Sequence, residues 1–156
     1  SDDFSPAEIA VHNGTSAPIE LDESKWQDIL RNASKRFLAS EIIEDSNLSL
    51  QATHSVRTIV TTEGTRLNLP RTAIRLGVWA RTTASDGMDI NVFESIDAPD
   101  AKSLPGPDEF ADLVDQVREK VEALAAAPVV EPTVAPAILR GRAAAVAVRV
   151  CANLLV

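Results

Sequence analysis

A second cysteine is missing from this sequence, so Cys151 has no internal partner and no disulfide framework can form. Its setting in an apolar run predicts a small buried hydrophobe rather than a reactive thiol. Long apolar runs are missing too. The longest, residues 143–156, is interrupted by Arg149 and falls short of the roughly 20 residues a membrane-spanning helix needs. No basic and then apolar leader opens the chain, since Ser1, Asp2 and Asp3 stand there instead. The expected compartment is the cytoplasm, with export left open. Histidine is scarce: His12 and His54 lie far apart, without the Cys/His or carboxylate spacing that suits a metal. Walker A, GxGxxG and GxSxG patterns are absent, which removes the commonest phosphate-cradling and nucleophile-elbow chemistries. Positive charge is in deficit, with 15 Lys and Arg against 23 Asp and Glu and a net charge of -8. An acidic surface repels phosphate backbones, so nucleic acid is a poor partner.

What is present suits a soluble fold. The 156 residues are 45% hydrophobic and 24% charged, enough for one domain with a real core. Residues 1–22 show no period and read as an arm or linker. Trp26, Ile29, Leu30, Ala33, Phe37 and Leu38 then fall on one helical stripe, with Lys25, Asp28, Arg31 and Lys35 facing water. Asp22 or Ser24 can cap its start.

Period two follows. Leu48, Leu50 and Ala52 alternate with polar residues, and residues 56–62 are rich in β-branched side chains. Glu63-Gly64-Thr65 marks a reversal, 66–69 a short strand, and Pro70 its end or an edge. In 72–82, Ile74, Leu76, Val78 and Ala80 share one face while Arg75, Trp79 and Arg81 share the other. Asp86-Gly87 marks a second turn, after which Met88, Ile90 and Val92 resume the alternation toward Ile96. A second helix begins at Pro107 and Asp108, carries Phe110, Leu113, Val114, Val117, Val121, Leu124 and Ala125 on one stripe, and stops at Pro128. The expected fold is α+β: an antiparallel meander of four to five strands covered on one face by two amphipathic helices. Residues 137–139 read as a further short strand. The stretch 143–156 is helix-compatible but apolar nearly all round, which predicts a segment cut off from a larger core. The expected organisation is an arm at 1–23, an α+β domain at 24–127, and an extended segment at 128–156 that starts a truncated C-terminal domain.

Candidate chemistry is sparse. Glu41, Glu44 and Asp45 suit a cation or, more simply, a solvated helix end. Asp86-Gly87-Met88-Asp89 lacks the oxygen ligands of a calcium loop and fits a hairpin turn. The sequons at Asn13, Asn32 and Asn47 are read as chance matches. The face bearing Arg75, Trp79 and Arg81 suits contact with a peptide or acidic partner. Its plainer reading is an ordinary solvated sheet surface.

Several phrases carry a resemblance. Thr61-Thr62-Glu63-Gly64-Thr65-Arg66 resembles a hairpin of the TldD/PmbA family, also described as modulators of DNA gyrase. Ala84-Ser85-Asp86-Gly87-Met88 with Phe93-Glu94-Ser95 resembles its following strand pair. Ala127-Pro128-Val129-Val130-Glu131-Pro132, then Pro136-Ala137-Ile138-Leu139 and Gly141-Arg142-Ala143-Ala144-Ala145, resembles a third passage. The match runs from about Trp26 to Val146. The resemblance implies zinc metallopeptidases that act on peptides and assemble as homo- or hetero-oligomers. In them an HExxxH-type helix follows the GRAAA phrase, where two histidines hold zinc and a glutamate activates water. Carried over, Arg149 and Leu154 stand where the histidines belong, and Val150 where the glutamate belongs. None of the three can do that chemistry. The resemblance therefore implies a non-catalytic N-terminal-type domain without zinc of its own, shaping substrate access and dimer assembly. A stand-alone peptide-binding module of a degenerate relative is the alternative.

Overall fold

The computed structural model describes residues 8–16, 19–132, 134 and 136–153. The chain is an α+β fold in which three long strands form an antiparallel meander and a short first strand joins them in parallel. Strand β1 (Val11–Asn13) comes from the N-terminal arm, followed by helix α1 (Glu23–Ser34) and a 3-10 turn at Lys35–Ala39. Strands β2 (Asp45–Val60), β3 (Arg66–Thr83) and β4 (Asp89–Ala98) follow, then helices α2 (Pro107–Ala125) and α3 (Gly141–Asn153). Of the two candidate caps on α1, Asp22 does the work: its Oδ1 accepts the Lys25 N–H at 3.0 Å. Such a cap is worth about 1 kcal/mol.

Two expected breaks do not occur. Residues 47–53 and 56–62 merge into the single strand β2, because Thr53, His54 and Ser55 keep pairing with Ala73, Thr72 and Arg71. Residues 66–69 and 72–82 likewise merge into β3 straight through Pro70. The reason lies in the register. Thr61 N–H donates to the Thr65 carbonyl at 3.0 Å, so odd-numbered residues form the hydrogen-bonded pairs with β2. Pro70, opposite Val56, has its nitrogen on the other edge. There β1 pairs only Arg66 to Asn68 and β4 only Ile74 to Thr83. Among the described residues, 69–73 has no strand on that side, so the missing N–H costs nothing. Gly14 closes the same corner: its N–H donates to the Asn68 carbonyl, and a Cβ there would stand 2.8 Å from Pro70 Cδ.

One face of the sheet is covered. Leu76, Val78, Ala80, Val92, Ala33, Phe37, Phe110, Val114, Val117 and Val121 are buried together, with Trp26, Ile29, Leu30, Leu48 and Leu50 packed at the margin. Thr82 is buried beside them and donates its hydroxyl to the Ile42 carbonyl. The stripe on α1 ends sooner than its spacing predicts. The 3-10 turn rotates Leu38 to the surface (84% exposed) while Phe37 goes in. On α2, Leu124 is half exposed for a different reason, lying past the last buried turn at Val121.

The helices stop short of the hairpin end of β2 and β3. Residues 51–58 are exposed at every position, leaving a projecting arm that is two-stranded at 69–73 and gains β1 at Arg66–Asn68. Gly64, with φ of 105°, forms its tip, and Gly87, with φ of 86°, turns β3 into β4. Residues 137–139, which follow a proline-rich stretch, form no strand. Cys151 is exposed on α3 rather than buried, because the helix packs few of its side chains onto the body; Val146, Val148 and Val150 are likewise half exposed or more.

Candidate functional site

The uncovered face of the sheet holds the residues singled out in the sequence. Arg75, Trp79 and Arg81 lie at alternate positions of β3, and the structure places all three on that face. Their neighbours on β4 are Asp97, Phe93 and Asn91. The two arginines are already engaged. Arg75 binds Asp97 with both arms of its guanidinium, Nε to Oδ1 at 2.6 Å and a terminal nitrogen to Oδ2 at 3.0 Å. That bidentate contact lowers the Asp97 pKa and raises that of Arg75. Arg81 pairs more loosely with Asp89 at 3.4 Å.

Between them lies a low aromatic patch. Trp79 sits opposite Phe93 on one side and Asn47 on the other. Gly77 lies between Ser49 and Ser95, and the Phe93 ring covers it. Phe93 remains 48% exposed. Alternation alone does not pair Phe93 with Trp79; the turn at Asp86-Gly87 fixes the register that does. Next to the patch, an open groove of about 390 Å³ runs between Gln51, Arg71, Arg75 and Asp97. Arg71 lines this groove two repeats of the strand pattern away from the Arg75–Asp97 pair. The face offers exposed ring surface beside polar side chains. It contains no nucleophile paired with a base.

A second cluster ties α3 to the body. Glu94 on β4 accepts from Lys120 of α2 at 2.9 Å and pairs with Arg142 of α3 at 2.9 Å. Arg142 also donates to the Phe93 carbonyl at 2.9 Å. The Lys120 hydrogen bond, aided by the Arg142 charge and opposed by partial burial, holds the Glu94 carboxyl below its ordinary pKa. Glu94 and Arg142 lie far apart in the sequence, and only the packing of three elements joins them.

The other candidates are scattered. His12 lies in β1 and His54 in β2, where its Nδ1 is 3.2 Å from Thr72 Oγ1 and 3.4 Å from Ser16 Oγ. Glu44 takes up backbone and side-chain bonds with Arg81 and Thr83. The Asp86 carboxylate accepts the Met88 N–H within its turn. Among the described residues, no group of three or more His, Cys, Asp or Glu is placed to hold a metal. Arg149 and Val150 lie on α3, whereas Leu154 lies outside the described residues. No described helix is long and apolar enough to cross a membrane. Comparison with family models, curated proteins and solved structures found no significant match in any of the three.

Proposed function

We propose that this chain is a non-catalytic N-terminal-type domain of a TldD/PmbA-like metallopeptidase, shaping peptide access and dimer assembly in the intact protein. The observation that carries the reading is where the three resembling phrases fall. Thr61 to Arg66 makes the β2–β3 tip, Ala84 to Met88 makes the β3–β4 turn, and Gly141 to Ala145 opens α3. Phrases at such boundaries are constrained by backbone geometry, so their order speaks for a shared fold plan. Arg149 and Val150 offer no metal ligand, which supports a body that guides substrate while zinc chemistry belongs elsewhere. Cytoplasmic placement is part of the same proposal.

Reading the coding frame beyond residue 156 tests it. The expected result is continuation into a further, C-terminal domain; an immediate stop would overturn it. Metal analysis of the purified chain adds an independent check. Zinc at one equivalent per chain contradicts a non-catalytic body.

The second reading, a stand-alone peptide-binding module, is favoured by the exposed Phe93 beside Trp79. Trp79 fluorescence titrated with unstructured peptides separates the two: saturable quenching by the isolated chain speaks for the module.

A further inference from the structure

We propose that the free edge of β2 pairs, antiparallel and about a two-fold axis, with the same edge of a second copy of this chain. β2 is bonded only to β3 along its whole length, so its outer row of N–H and C=O groups has no strand partner among the described residues. The even-numbered residues point that row outward, since the odd ones bond to β3. Natural sheets blunt long edges with lysine, proline, bulges or a covering element. Residues 46–60 contain no lysine, proline or glycine, and 51–58 are exposed at every position.

Charge selects a second copy as the occupant. The chain carries a net charge of -8, so most of its surface repels another copy. Residues 46–60 hold no acid, and Arg57 is their one formal charge. A two-fold axis near residues 54–55 sets the two Arg57 side chains roughly 14–20 Å apart at about 3.4 Å per residue, beyond a Debye length of about 8 Å. On one face this pairing also shields Val56 and Val60, which are 53% and 68% exposed. The facing His54 and Val56 side chains would meet one another or their own copies.

The inference deepens the assembly part of the function proposed above and stands or falls separately from the peptidase part. Analytical ultracentrifugation of the full chain tests it, using two double variants on exposed positions: His54→Lys with Val56→Lys, and His54→Glu with Val56→Glu. The wild-type chain is expected to sediment as a dimer at tens of micromolar. Each variant alone should be monomeric, and an equimolar mixture should return to dimer, since opposite charges then face each other. A monomeric wild type, or variants that associate as the wild type does, overturns the proposal. So does a mixture that stays monomeric while circular dichroism shows both variants folded.

Discussion

Gly77 lies beneath the ring of Phe93, and a Cβ added at Gly77 would stand 3.3 Å from the ring carbon Cε2 and 2.9 Å from Ser49 Oγ. The glycine weakens the middle of β3 by leaving a gap in the side-chain layer, and the ring fills that gap from the next strand. The two positions should therefore be coupled. Phe93→Ala is expected to cost about 1–2 kcal/mol through lost ring burial. Gly77→Ala alone should cost up to about 1 kcal/mol by pushing side chains off their rotamers. In the Phe93→Ala background the same change should cost less. Only the Ser49 hydroxyl then has to turn aside, and alanine suits a strand better than glycine by about 0.5–1 kcal/mol. Urea denaturation of the four proteins of this cycle measures the coupling; simple additivity would contradict the contact.

Thr82 carries the buried hydroxyl in the covered layer, donating to the Ile42 carbonyl. Thr82→Val keeps the shape and removes the donor, leaving that carbonyl without this partner. The expected cost is about 1–3 kcal/mol, with Thr82→Ser losing less because it retains the hydroxyl. Thermal unfolding of both variants checks the order.

Glu94 links acidity to the anchoring of α3. Its folded pKa lies below the ordinary value, through Lys120 first and Arg142 second. The stabilisation is therefore present above the unfolded carboxyl pKa and is lost as pH falls through the depressed folded one. Lys120 and Arg142 stay charged over that window, so the change belongs to Glu94. Acid should loosen α3 before the sheet melts, and Glu94→Gln should reproduce the loosening at neutral pH. Hydrogen exchange at residues 141–151 reads this directly. Equal protection in the wild-type and Glu94→Gln proteins would rule out the tie.

The covered layer was legible because periodicity reports faces. Leu76, Val78 and Ala80 alternate on β3, and Phe110, Val114, Val117 and Val121 recur on α2, so each element announces its buried side. Strand lengths were not legible. His54-Ser55 and Pro70 look like breaks, yet whether a strand ends there depends on the edge its backbone groups face, and register decides that. The small parallel strand β1 was hidden inside an arm without a period, because three residues carry no pattern. The site was legible in part. Arg75, Trp79 and Arg81 were on one face as their spacing required, but their engagement with Asp97 and Asp89 belongs to pairing between strands. Cys151 was misplaced because apolar neighbours in sequence signal burial only when another element lies over them.

β3 takes its second row of neighbours from two distant parts of the chain, β4 close behind it and β1 far ahead. The hairpins joining β2, β3 and β4 close over short turns, whereas docking β1 brings Ala10 to Thr65 across 55 positions. Loop closure of that length is slow compared with a hairpin. The meander should thus assemble first and the leading segment zip on last. In unfolding the order reverses, and the Arg66 amide, which donates to the Ala10 carbonyl, should be among the first in the sheet to exchange with solvent.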